Sequence, residues 1–496
     1  MKLKIALFLV HRWVGVSMCL FFAMWFFSGM VMMYVGYPEL TVQERYAGTS
    51  RLDSDKIHYS PSDLFESFGL GFASDRLILT NIGNRPAYLL AAGSFQQMAI
   101  YADTGEYIEL VSSELAVELA RSFYRNQHGA ELISGVFRET LEMDQWSISG
   151  GLSPHRPLHL VSIEDAAGTN LYVSSLTGQV VLDTTRRERV WNWLGANIHW
   201  IYPIKLRKHA NTWVNIIIVL SLIGLMSLLT GAIIGVIRLR IKSPYRGKYV
   251  TPYRGIAKYH HIVGLASLIF LVTFMFSGLM SIGPWGIFDS DTSYGRQLGR
   301  YQYSDDSFEL DLAFSEASDL QQLLKQPENQ TVKQIVWHRI NGKSYVAMYD
   351  APDAVRVSSS IGDRFDLALR IKESAPRLIP ESNILELEEL EGYDTYYYSH
   401  HSRFRPLPIL RVKYDDPEST WFHIDLESGQ LVGRMTSANR VQRWMFNGLH
   451  SLDFSTLINN RPFWDIVVIL LCSLGLAFSI TSVVVSWRRI RKKVAK

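Results

Sequence analysis

One spacing constrains this chain more than its composition does. The stretch VWNWLGANIHWIYP, which carries His199, returns 251 residues later as VQRWMFNGLHSLDF, which carries His450. A Trp lies six residues before each histidine (Trp193, Trp444) and another 14 after it (Trp213, Trp464). The same offset carries Gly178 to Gly429, Gly224 to Gly475, Thr230 to Thr481 and Arg238 to Arg489. A second set matches at offset 249: HRWVG at 11–15 with HHIVG at 260–264, and FFSGM at 26–30 with MFSGL at 275–279. His11 therefore corresponds to His260, and Arg12 to His261. Matches of this length without a gap make the chain a tandem repeat.

A chain of 496 residues is too long for one compact domain. Its apolar residues are gathered into runs at 5–36, 212–237, 259–283 and 463–487, each long enough to cross a hydrocarbon core of about 30 Å. Lys2 and Lys4 resemble the positive start of a signal peptide, but the first run is too long and lacks a small-residue cleavage site, which favours a retained helix. Both cysteines, Cys19 and Cys472, lie inside apolar runs. That excludes a disulfide framework, a CxxC redox pair and a thiolate zinc site.

Lys and Arg set the orientation. The connector 238–258 carries seven basic residues and no acid, and the tail 488–496 carries six more. Lys2, Lys4 and Arg12 belong to the same side, read as cytoplasmic. The two large loops, 37–211 and 284–462, are left with a net charge near −13 and fall outside. Each is long enough to fold by itself, with mixed α and β patterning: strands at Thr169–Ser174 and Trp421–Asp425, closing glycine turns in LTGQ and ESGQ, and a helix at Ser113–Tyr124. The expected fold is an α-helical membrane protein with four transmembrane helices in a tandem pseudo-twofold repeat, carrying two α+β domains on the outer side. Both termini are then cytoplasmic in a multi-pass membrane protein.

Depth sorts the histidines. His11 and His260 fall near the cytoplasmic ends of the first and third spans, while His199 and His450 precede the second and fourth at the outer surface. A pseudo-twofold axis along the membrane normal pairs them into two sites, one per leaflet. A single histidine in a membrane helix has a bland reading, as a helix-end group hydrogen-bonded across the bundle. Four in duplicate favour ligation, and neutral imidazole serves iron, copper or zinc. Hydrolytic zinc chemistry would want carboxylates or an HExxH helix, and neither is present. Paired imidazoles in an aromatic-rich bundle best suit low-spin b-type haem. Arg12, His261, Arg443 and Arg440 lie beside these histidines, placed to pair haem propionates or to anchor lipid headgroups; Trp193 and Trp444 stack on a porphyrin edge or join the interfacial aromatic belt. His209 competes with His199, and His261 with His260, for the ligand role.

HRWVG, WLGANIHW, HHIVGL, RWMFNGLHSLDF and the outer motif YYYSHHSRFRPLPILRVKYDD together resemble the PepSY-associated transmembrane proteins, over essentially the whole chain. That family includes bacterial inner-membrane ferric-siderophore reductases of the ferrioxamine type. The resemblance implies PepSY-like outer domains, two b haems on His11, His260, His199 and His450, and a haem-dependent, single-electron oxidoreductase serving iron uptake. Such a protein reduces a ferric siderophore or other ferric chelate in the periplasm and releases Fe(II). No dinucleotide fingerprint such as GxGxxG after a strand appears, so the electron donor is separate, a cytoplasmic reductase or a quinol. His400, His401, Tyr397 and Arg405 are candidate substrate-side residues, with His155, Arg156 and His159 in the first loop. Net-negative loops favour cationic chelates and repel polyanions such as nucleic acid. The alternative is a membrane-anchored PepSY-type protein that binds peptide or regulates proteases without redox activity.

Overall fold

The structure, a computed structural model, describes residues 2–68, 76–92, 96–129, 133–303, 312–361, 365–399 and 404–494. It has a helical unit (Met1–Tyr37, Val190–Asp289, Ala438–Lys496) and a sheet unit (Pro38–Arg189, Ser290–Ser437).

The helical unit is built on α1 (Lys2–Met32), α2 (Ala210–Arg238), α3 (Ile256–Ala266), α4 (Leu268–Met280) and α5 (Phe463–Val494). Helices α1, α2 and α5 are each long and apolar enough to cross a membrane, and apolar on every face, as a lipid-facing helix must be. The expected third span is not one straight helix. It is bent by 69° between α3 and α4, and counts as a fourth crossing only if the bent pair is taken as one span. The bend falls at buried Ser267, three residues beyond Gly264, and such a Gly/Ser pair weakens a helical ladder. Phe22, Phe26, Met18, Leu271, Met275 and Trp464 fill the core of the bundle. The matched glycines Gly224 and Gly475 lie where helices touch: a Cβ there would come within 3.0 Å of Met275 and 2.5 Å of the Phe26 ring.

Among the described residues the sheet unit holds three antiparallel sheets. One has six strands in the order β10-β9-β8-β1-β2-β3. It takes β1 (Arg76–Ile82), β2 (Arg85–Ala92) and β3 (Gln96–Tyr101) from the first loop, and β8 (Gln334–Ile340), β9 (Lys343–Ala351) and β10 (Ala354–Ser358) from the second. The pairing of β1 with β8, Ile78 opposite Val336 and Thr80 opposite Gln334, joins the loops in one sheet. Two domains folding separately were expected; shared strand pairing makes one unit of them.

The other sheets have four strands each: β4 (Gly135–Leu141), β5 (Leu158–Ile163), β6 (Asn170–Ser174) and β7 (Val180–Thr184); then β11 (Ile384–Leu390), β12 (Ile409–Tyr414), β13 (Trp421–Asp425) and β14 (Leu431–Met435). From β5 to β7 every boundary returns 251 residues later in β12 to β14. Gly178 and Gly429 close the matched β6–β7 and β13–β14 turns at φ 73° and 72°, a region where a side chain is strained. The helix expected at Ser113–Tyr124 runs Ser113–His128, started by the Ser112 side chain and ended by left-handed Gly129.

The loop ends, Val190–His209 and Ala438–Pro462, belong to the helical unit and not to the sheets. Each is entered by a short helix, Arg186–Asn192 or Ser437–Arg443, followed by one π-type turn, Trp193–Asn197 or Trp444–Gly448. These turns deliver His199 and His450.

Candidate functional site: paired histidines in the helical unit

The imidazoles of His199 and His450 face each other with ring centres 6.2 Å apart and planes at 71°. Both rings are seated by the FSG sequence of an opposing helix. Nδ1 of His199 lies 3.0 Å from Ser28 Oγ on α1, and Nδ1 of His450 lies 3.0 Å from Ser277 Oγ on α4. The following glycines make room: a Cβ at Gly29 or Gly278 would stand 3.5 or 3.6 Å from the histidine Cε1. The two glycines stand at matched places in the repeat, in FFSGM and MFSGL, and each abuts one ring.

The turns beyond the histidines are pinned alike. Trp213 Nε1 donates to Trp200 O and Trp464 Nε1 to Ser451 O, both at 2.9 Å, which accounts for a Trp 14 residues past each histidine. Ile201 and Leu452, two residues past each histidine, share φ of 54°, which is costly for such side chains. The first histidine is further held by Trp25 Nε1, which donates to His199 O at 2.9 Å.

His11 and His260 line a second place in the same unit, a cavity of about 290 Å³ shared with Arg12, His261, Gly15 and Gly264. His11 Nδ1 lies 3.1 Å from Ser227 O. A Cβ at Gly231 would come within 2.6 Å of the His11 ring, so only glycine fits there. His260 Nδ1 lies 3.2 Å from Ser482 Oγ and 3.3 Å from Thr481 Oγ1, and its ring stacks on Phe478 at 4.9 Å.

These contacts fix one tautomer four times. A backbone carbonyl can only accept, so His11 donates from Nδ1 to Ser227 O, and His450 likewise to Phe274 O at 3.2 Å. The hydroxyls facing His199, His450 and His260 spend their hydrogens on their own helices: Ser28 on Met24 O, Ser277, Thr481 and Ser482 on Phe274 O or Phe478 O. Each therefore accepts from the imidazole. All four histidines carry Nδ1–H and present an Nε2 lone pair, and no Nε2 among them has a protein hydrogen-bond partner among the described residues. A neutral imidazole held by one nitrogen and bare at the other is the form that binds a metal.

Residues 8–489 match the family described as PepSY-associated TM region. The chain belongs to that family. No curated protein matches it.

Within this PepSY-associated chain the competing histidines separate. His261 is buried, with Nε2 donated to Gly235 O at 2.9 Å and Nδ1 2.7 Å from Thr251 Oγ1, so both nitrogens are engaged. His209 stands exposed at the start of α2. Arg12 is half-buried at the His11 cavity. Arg443 is buried, donates to Asp453 O and lies 4.4 Å over the Trp444 ring. Trp193 and Trp444 are 45% and 39% exposed, as interfacial aromatics are.

The candidate substrate residues lie in the sheet unit. His400 and His401 fall outside the described residues. Tyr397 is fully buried, with its hydroxyl donated to Pro406 O at 2.9 Å, and it packs on His423; this places it in the core and not at a binding surface. Arg405 is half-buried over that same tyrosine ring. In the first loop, His159 is buried with Nε2 on Val111 O and Nδ1 on Thr140 Oγ1, while Arg156 donates to Ser147 O and Ser149 O. Both are structural. Burial holds His155 neutral, its pKa pushed down to about 4. The residues that sequence reasoning missed are Ser28, Ser277, Thr481 and Ser482. The repeated FSG was visible, and its serine is the signal.

Proposed function

We propose that this chain is a dihaem b-type electron-transfer protein of a bacterial inner membrane, with His199 and His450 as axial ligands of one haem and His11 and His260 of the other. The observation that carries this reading is the facing pair of imidazoles with bare Nε2 atoms. His199 and His450, with ring centres 6.2 Å apart, would hold the haem iron through their Nε2 atoms. His11 and His260 line one cavity and would hold the second haem, with Arg12 at the cavity wall as a cation for its acidic groups.

When bound, the haems supply one-electron redox chemistry. The protein's own groups do the rest. Nδ1–H bonds hold the imidazoles in one tautomer and angle, and Phe26, Phe270 and Phe274, with ring centres 5.8 to 6.3 Å apart, keep the core apolar and water out. Four crossings, with the bent pair as one, put the basic connector and both termini in the cytoplasm. The substrate is then a ferric siderophore or similar ferric chelate on the periplasmic side, reduced by one electron so that Fe(II) is released. The electron comes from a separate reductase or a quinol.

The purified protein should be red, with a Soret band that sharpens and shifts on dithionite. His450→Ala should remove about half the bound haem and leave the remainder reducible. Colourless protein from haem-replete cells would sink the redox reading and favour a peptide-binding or protease-regulating role, and unchanged haem in the variant would refute the ligand assignment. Reoxidation of the reduced protein by ferric siderophores, compared with simple ferric salts, tests the substrate.

A further inference from the structure

We infer that Ser28 and Ser277 are positioning residues that set the tautomer and ring angle of His199 and His450. This rests on the haem reading, and the experiment below separates the two. The serines occupy equivalent places in FFSGM and MFSGL, on different helices, and each reaches a different histidine at 3.0 Å. A buried serine in a membrane helix ordinarily bonds only its own helix. Ser479 is such a case: fully buried, it donates to Gly475 O at 2.7 Å.

Ser28 and Ser277 do more because their donation is already spent. Ser28 donates to Met24 O at 2.7 Å and Ser277 to Phe274 O at 3.0 Å, which turns the oxygen lone pair of each toward the imidazole. The histidine must then place its proton on Nδ1 and leave Nε2 as the lone-pair donor. An accepted Nδ1–H bond raises the donor strength of Nε2, and such outer partners are typically worth about 10- to 100-fold in metal affinity. The other pair of histidines uses other acceptors: a backbone carbonyl for His11, and Thr481 with Ser482 for His260. Removing the two FSG serines therefore acts on one level only. His450 also donates to Phe274 O at 3.2 Å, so its ring keeps one acceptor when Ser277 is lost. His199 has no such second acceptor among the described residues, and S28A should have the larger effect.

The test uses the full-length protein in detergent with its haem, in the variants S28A, S277A and S28A/S277A, with S479A as the matched control. Three readouts apply: the rate of haem extraction by excess apomyoglobin, the low-spin EPR signals and the midpoint potential. In the double variant, half the haem should be extracted about tenfold faster. One of two low-spin signals should shift, reporting changed ring angles, and the corresponding midpoint should move upward as ligand donation weakens. S28T/S277T, which keep the hydroxyls, should restore all three, and they decide the matter if the alanine variants are too unstable to purify. Extraction rates and EPR signals in S28A/S277A equal to those of S479A would overturn the positioning role while leaving the haem reading intact. A wild-type protein without haem would overturn the reading itself.

Discussion

At the scale of single residues, the four histidines are seated by one chemical device, an acceptor from a neighbouring helix on Nδ1, a backbone carbonyl for His11 and side-chain hydroxyls for the other three. Elsewhere burial tunes two further groups, with opposite consequences for stability. Asp183 in β7 is desolvated and lies near Glu44 and Glu188, which pushes its pKa up to about 7. The folded state thus holds a proton that the unfolded chain, titrating near 3.8, gives up. Its contribution is most favourable below about pH 4, falls as pH rises to 7, and is level above. Asp183→Asn should therefore stabilise the protein by about 2 kcal/mol at pH 8, with the gain vanishing near pH 4, as read from melting temperatures of the full chain. His423 behaves the other way. Burial, then Arg411 and Arg405, push its pKa down to about 3, while Arg411 Nε donates to its Nε2 at 2.9 Å. Its contribution is complete above pH 6.5 and is lost as pH falls toward 3. His423→Phe should flatten the acid side of the stability profile and leave the Asp183 slope in place.

At the scale of elements, the helices approach where the repeat places glycine. A Cβ at Gly475 would sit 2.5 Å from the Phe26 ring, closer than any real contact, and Phe26 is walled in by Phe270 and Phe274. Gly475→Ala should cost about 1–3 kcal/mol and lower the melting temperature in detergent. Gly36→Ala, at a site with nothing within 4 Å, should leave it unchanged. The tryptophans 14 residues past His199 and His450 act as struts, each donating to a carbonyl beside the histidine. Trp464→Phe keeps the ring but loses the bond to Ser451 O, so it should cost about 1 kcal/mol and loosen the His450 turn, seen as faster amide exchange there. The kink at Ser267 was not expected, because hydropathy reports length and composition and is blind to helix direction.

At the scale of the whole molecule, the β1–β8 pairing makes the two outer segments interdependent. Residues 38–189 expressed alone would expose the β1 edge and the apolar face around Ile78, and should be insoluble or aggregated. Expressed with residues 290–437, they should co-purify as a folded complex. A cooperative melt of 38–189 as a soluble monomer would show that the shared sheet is dispensable. Much of this architecture was legible beforehand. Segregated apolar runs marked the helices, and the strands at Asn170–Ser174 and Trp421–Asp425 fell where alternation and glycine turns placed them. The shared sheet was not legible, because strand pairing across 250 or so residues leaves no local pattern.

The sequence by itself determined family, repeat and histidines, because each is a matter of residue type at a fixed spacing, and spacing survives without coordinates. It also paired His199 with His450 through the repeat, yet left His209 and His261 as rivals. Only the tertiary structure told them apart: His209 is exposed at the start of α2, and which nitrogen of a buried imidazole is free depends on neighbours from other helices. Gly235 and Thr251 occupy both nitrogens of His261, whereas Ser28 and Ser277 each occupy one nitrogen of His199 and His450 and leave the other bare.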